Sequence, residues 1–125
     1  MGGDRAPDVV VEGANIARER FPSTSFLMFG DRPRLEPLVE AYPQLAATTE
    51  YRHTTEVVSS EDKPSVALRS ARGSSMRLAI DAVRGGEASC VVSAGNTGAL
   101  MAIAKFVLKT MPGIDRPAIT TYYPT

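Results

Sequence analysis

Tryptophan is absent from this chain, cysteine and histidine occur once each, and aromatic residues make up 6% of its 125 positions. A single cysteine, Cys90, excludes an internal disulfide and fits a reducing compartment. A single histidine, His53, has no serine or cysteine nucleophile at a recognisable spacing, so it reads as an ordinary strand residue. Net charge is missing too: 14 acidic residues balance 14 basic ones, which removes the general electrostatic case for nucleic-acid binding. The longest apolar run, residues 99–108, is interrupted by Lys105 and is too short to span a bilayer. No basic-then-apolar leader opens the chain, and a cytoplasmic location is expected. Two adjacent carboxylates, Glu61 and Asp62, with no histidine nearby make a poor metal site, so neither metal nor cofactor is expected. Without repeats, low-complexity segments or a linker, residues 1–125 read as one domain able to bury roughly two thirds of its unfolded surface.

What remains is an alternation of helical and extended patterns. Asp8 is placed to cap a helix over about 8–21, with Val10, Ala14, Ala17 and Phe21 as its apolar stripe and Pro22 as its stop. Residues 26–29 read as a short buried strand ending at Gly30-Asp31. Leu35, Leu38, Val39 and Tyr42 form a weaker helix whose interior Pro37 implies a late start or a kink. A strand is expected over 49–53. Pro64 fits the first turn of a third helix capped by Asp62 and ending before Gly73. Ser74 or Ser75 starts another, with Met76, Ala79, Ile80 and Val83 inward and Gly85-Gly86 as its stop. A strand over 89–93, a helix over 97–110 and a last strand over 117–122 complete the pattern. Such alternation predicts an α/β fold, a mostly parallel sheet with helices on both faces.

The most informative stretch is Ser93-Ala94-Gly95-Asn96-Thr97-Gly98-Ala99-Leu100-Met101, where the expected strand passes into an apolar helix. Gly95 and Gly98 permit a tight turn, Asn96 or Thr97 can cap the helix, and its first N–H groups face whatever lies above the turn. A phosphate or a developing oxyanion suits that place, although a structural turn uses the same residues. Neither Gly-x-Gly-x-x-Gly nor a Gly-Lys-Ser/Thr ending occurs, which argues against a standard nucleotide site.

Other blocks accompany that turn: Met1-Gly2-Gly3-Asp4-Arg5-Ala6-Pro7, Asp62-Lys63-Pro64-Ser65-Val66-Ala67-Leu68-Arg69, Arg72-Gly73-Ser74-Ser75-Met76-Arg77 and Gly113-Ile114-Asp115-Arg116-Pro117-Ala118. In this order and at these separations, along the whole chain, they resemble the phosphate acyltransferases of bacterial phospholipid synthesis. The resemblance implies a three-layer α/β/α fold related to isocitrate and isopropylmalate dehydrogenases, incomplete here. Family members have a strand before the Gly-Gly-Asp block and continue beyond Thr125, so the chain is expected to represent a partial N-terminal domain. Dimer pairing and peripheral membrane association are family properties of segments beyond Thr125.

The implied reaction moves a fatty acyl group from its thioester on acyl carrier protein to inorganic phosphate, giving acyl phosphate. Phosphate is already an oxyanion near neutral pH, so the work is to hold two anionic species together and stabilise a tetrahedral oxyanion. The expected catalytic residues are Asn96 and Thr97, with Asp4, Lys63, Arg69, Gly95 and Gly98 binding phosphate or substrate. On this view Asn96→Ala lowers turnover far more than stability. Lys63 and Arg69 also read as solvated surface charges, and Asp4 as a turn cap. Cys90, inside an apolar segment, reads as a small hydrophobe rather than an acyl carrier. The carrier protein is acidic as a class, and Arg69, Arg72, Arg77 and Arg84 fall close enough on successive helices to form a basic docking face. Leu100 and Met101 suit an acyl groove or ordinary core equally. A noncatalytic phosphate- or nucleotide-binding domain and an inactive truncated remnant are the alternatives.

Overall fold

A computed structural model describes residues 1–123 of the chain. Its described residues form an α/β arrangement of six helices and a sheet of two parallel strands. Helix α1, Asp8–Arg20, has Pro7 at its cap position and Asp8 as its first helical residue, where the carboxylate favours the positive end of the helix dipole. Its buried residue is Val11, and Phe21, expected in the stripe, is exposed. The inward face therefore lies one position along from the face that periodicity picked.

Strand β1, Phe26–Gly30, pairs in parallel with β2, Thr49–His53, in the register Phe26↔Thr49 through Gly30↔His53. Between them run α2, Arg32–Glu40, and α3, Pro43–Ala46. Helix α2 starts earlier than expected because Pro33 suits its first turn, and it retains Pro37 in its interior. His53 ends β2 as an ordinary strand residue, its Nδ1 accepting the Arg32 N–H at 3.2 Å and so satisfying one of the unpaired donors that begin α2. Val11, Met28, Leu35, Val39 and Leu45 form one core between α1, α2, α3 and the sheet.

The second core lies among α4, Pro64–Ser70, α5, Ser75–Arg84, and α6, Thr97–Leu108. Val58, Ala67, Met76, Ile80, Ala99, Ile103 and Val107 make it, with Ile80 and Ile103 fully buried. Each such isoleucine contributes about 1.5–3 kcal/mol through removal from water. Ser74 is the cap of α5. Its Oγ accepts from the Arg77 N–H at 3.2 Å and donates to the Ala71 carbonyl at 2.7 Å, and the side chain is buried. Ser74→Ala is expected to destabilise the fold by about 1–2 kcal/mol. Urea denaturation measures this, and a loss below about 0.5 kcal/mol contradicts the capping role.

Two expected strands do not form. Residues 89–93 and 117–122 carry no ladder hydrogen bonds, and β1 and β2 are the only paired strands among the described residues. An apolar run marks a strand only where a neighbour accepts and donates its backbone bonds. Val91 does pack on the second core, but Val92 is 87% exposed and Ile119 72%. Cys90, expected to be buried, is exposed for the same reason. The helix expected to reach residue 110 ends at Leu108, where Lys109 takes a positive φ of 69°. The Asp62 cap is also corrected: Lys63 holds the cap position of α4 without a side-chain bond, and Asp62 Oδ2 accepts from the Ser59 N–H at 2.8 Å. No helix among the described residues is long and apolar enough to cross a membrane.

Candidate functional site

The turn into α6 is built around Asn96. Its Oδ1 accepts from the Ala99 N–H at 2.9 Å, and its Nδ2 donates to the carbonyls of Asp62, Ser59 and Ser60 at 2.9, 3.1 and 3.3 Å. One side chain therefore caps the helix and ties down the loop leading to α4. The amide that suits an oxyanion has its hydrogens committed to that loop. The Leu100 N–H is taken by the Asn96 carbonyl at 3.0 Å. The N–H groups of Thr97 and Gly98 remain without an acceptor among the described residues. They stand at the N-terminus of a 12-residue helix, the positive end of its dipole.

Three glycines bring three loops into backbone contact beside this turn. A Cβ on Gly2 would lie 2.5 Å from the Val58 carbonyl oxygen, one on Gly3 2.7 Å from that of Ala94, and one on Gly95 2.7 Å from that of Gly2. These approaches exclude any side chain. Two of these loops, residues 2–4 and 57–60, enclose a cleft of about 300 Å³ lined by Gly2, Gly3, Asp4, Val57, Val58, Ser59 and Ser60, and the turn at Gly95 lies against its Gly2 wall. Gly98 faces Pro64, a Cβ there falling 3.0 Å from the Pro64 ring, which sets the starts of α4 and α6 side by side. Lys63 and Thr97 are both exposed at those starts.

Of the expected site residues, Asp4 lines this cleft, Gly95 and Asn96 contact its wall residues Gly2, Ser59 and Ser60, and Lys63, Thr97 and Gly98 stand at the adjoining starts of α4 and α6. Arg69 does not join them. It lies near the other end of α4 and lines a second cleft of about 510 Å³ with Leu68, Arg72, Arg77, Asp81 and Phe106. Arg84, grouped with these arginines on sequence, is outside that lining and sits 3.5 Å from Asp81 Oδ1.

A family model described as "Fatty acid synthesis protein" matches residues 1–125. The chain belongs to this family. Curated relatives include phosphate acyltransferases from Rhodospirillum centenum, 66% identical, and from Paramagnetospirillum magneticum and Bradyrhizobium diazoefficiens, each 58% identical. In each comparison the whole chain aligns, to 35% of the first relative and 36% of the other two. The chain therefore spans about a third of the length of these relatives, as their N-terminal part. The resemblance to phosphate acyltransferases read from the motif blocks is borne out.

Within this fatty acid synthesis family member, Ser59 and Ser60 line the candidate cleft, and sequence reasoning missed them. Their signal was present: Val57-Val58-Ser59-Ser60 repeats the apolar-then-small pattern of Val91-Val92-Ser93-Ala94 before the second helix start. Val58 is buried in the second core, which anchors the loop, and the serines after it reach the cleft.

Proposed function

We propose that the chain forms part of a phosphate acyltransferase site, with the glycine cleft beside α6 receiving the phosphate group. The observation that carries this reading is the pair of free N–H groups of Thr97 and Gly98, at a helix start whose turn meets Gly2, a residue of the cleft wall. A phosphate oxygen attacks the carbonyl carbon of an acyl thioester on acyl carrier protein. The new C–O bond forms, the C–S bond breaks, and the thiolate leaves to be protonated by water, giving acyl phosphate and the free carrier. Inorganic phosphate needs no general base at neutral pH. The Thr97 and Gly98 amides and the Thr97 hydroxyl donate to phosphate or to the tetrahedral oxyanion, each well-placed donor lowering the barrier by roughly 3 kcal/mol. Lys63, exposed at the start of α4, offsets the anionic charge, and Asp4 borders the cleft as a substrate contact. Asn96 acts by positioning, through the loop it holds.

The same reading places β1 and β2 in a longer parallel sheet of the isocitrate dehydrogenase type, with residues 1–125 as a partial domain. It gives the complete enzyme a cytoplasmic location, with dimer pairing and peripheral membrane contact made by other segments. No cofactor enters the chemistry. Calorimetric titration of the chain with inorganic phosphate, decanoyl phosphate and ATP tests the reading. Preference for decanoyl phosphate is expected, and a preference for ATP would replace it with a nucleotide-binding role.

A further inference from the structure

The chain carries no net charge, yet its larger cleft is strongly one-sided. Arg69, Arg72 and Arg77 line it against a single carboxylate, Asp81, over an apolar floor of Leu68 and Phe106. Asp81 is already engaged: its Oδ2 accepts from Arg77 Nε at 3.0 Å, and Arg84 lies 3.5 Å from Oδ1. Arg69 and Arg72 have no carboxylate partner among the described residues. Two further contacts shape the floor. The Arg77 guanidinium lies 5.9 Å from the centre of the Phe106 ring and the Lys109 ammonium 5.2 Å, so Phe106 stays open and flanked by cations.

We infer that this cleft docks an acidic amphipathic helix of a protein partner, its carboxylates meeting Arg69 and Arg72 and an apolar side chain resting on Leu68 and Phe106. A small anion alone leaves the apolar floor unused, and a purely apolar ligand leaves two arginines without counter-charge. Charge and apolar surface together fit a helix that presents both. Resting on the acyl-transfer reading above, the partner is the acyl carrier protein, bound at a place distinct from the glycine cleft where phosphate reacts. Arg69 then acts in partner binding rather than phosphate binding.

The test measures association of purified decanoyl acyl carrier protein with the 125-residue chain by calorimetry at low and high ionic strength. The double charge reversal R69E/R72E is expected to weaken association about tenfold or more and to flatten its salt dependence. A control reversal of equal charge, R20E/R34E, lies on α1 and α2 and is expected to leave association unchanged, which separates this cleft from a net-charge effect. Equal weakening by both double variants overturns the inference, as does carrier binding indifferent to R69E/R72E or absent from the unaltered chain. Decanoyl phosphate titrated into the same variants keeps the two readings apart: unchanged acyl phosphate binding with lost carrier binding supports the docking cleft, whereas failure of acyl phosphate binding in the unaltered chain counts against the glycine cleft.

Discussion

Gly95→Ala is expected to destabilise the chain by about 1–3 kcal/mol and to weaken decanoyl phosphate binding by about tenfold or more. The added methyl group would sit 2.7 Å from the Gly2 carbonyl oxygen, nearer than a carbon and an oxygen tolerate. Both atoms belong to main chain, so no flexible side chain can absorb the clash and one loop must withdraw. Gly2 cannot withdraw freely, because its own Cβ direction is blocked 2.5 Å away by the Val58 carbonyl, and Gly3 abuts Ala94 in the same manner. The cleft walls are thus a closed set of backbone contacts, and shifting one moves the place where phosphate would sit. Gly113→Ala provides the contrast: its Cβ meets nothing within 4 Å, although a φ of +83° makes the substitution strained locally. It should cost stability without touching ligand binding. Thermal melts and titrations on the two variants measure both effects, and a Gly95→Ala protein as stable and as ligand-competent as the parent contradicts the apposition of these loops.

The second large effect concerns Asn96. Asn96→Ala removes a helix cap, typically about 1 kcal/mol, and strips the donor from three loop carbonyls, for a total of about 2–4 kcal/mol. Asn96→Asp separates these roles. An aspartate keeps the acceptor for the Ala99 N–H and carries a charge that the helix N-terminus favours. It also turns a carboxylate oxygen toward the carbonyls of Asp62, Ser59 and Ser60, where Nδ2 now donates. If capping were the whole role, Asn96→Asp would be close to neutral. The loop tether predicts a loss comparable to that of Asn96→Ala, with acyl phosphate binding falling alongside stability. Urea denaturation of both variants measures it, and a neutral aspartate sinks the tether. The expectation that Asn96→Ala spares stability is revised by the same bonds, since an amide engaged on three carbonyls is part of the scaffold.

The contrast between what was legible and what was not follows from the range of the interactions. Strands 26–30 and 49–53 stood out because short apolar or β-prone runs lie between clear turn residues, and they pair with each other. Ser74 and Gly85 bracket α5 through local rules, and the turn at residues 95–98 declared its glycines and its cap. The runs at 89–93 and 117–122 looked equally strand-like, but a ladder depends on a distant neighbour that side-chain pattern does not reveal. The same limit hid the site's other wall: Asn96 reaches Ser60 across 36 positions, and Gly2 meets Gly95 from the opposite end of the chain. Arg69 shares a motif block with Lys63, yet α4 separates them: Lys63 stands at its start, and Arg69, near its end, lines the cleft with Arg72 and Phe106.

The most direct test of the central claim is a residue-by-residue map of backbone amide shifts by NMR as decanoyl phosphate is titrated into the chain. The account predicts saturable shifts at Thr97 and Gly98, joined by Gly2, Gly3, Asp4, Ser59 and Ser60, with Arg69 and Arg72 unmoved. Saturable shifts centred on Arg69, Arg72 and Phe106, with Thr97 and Gly98 silent, would contradict it.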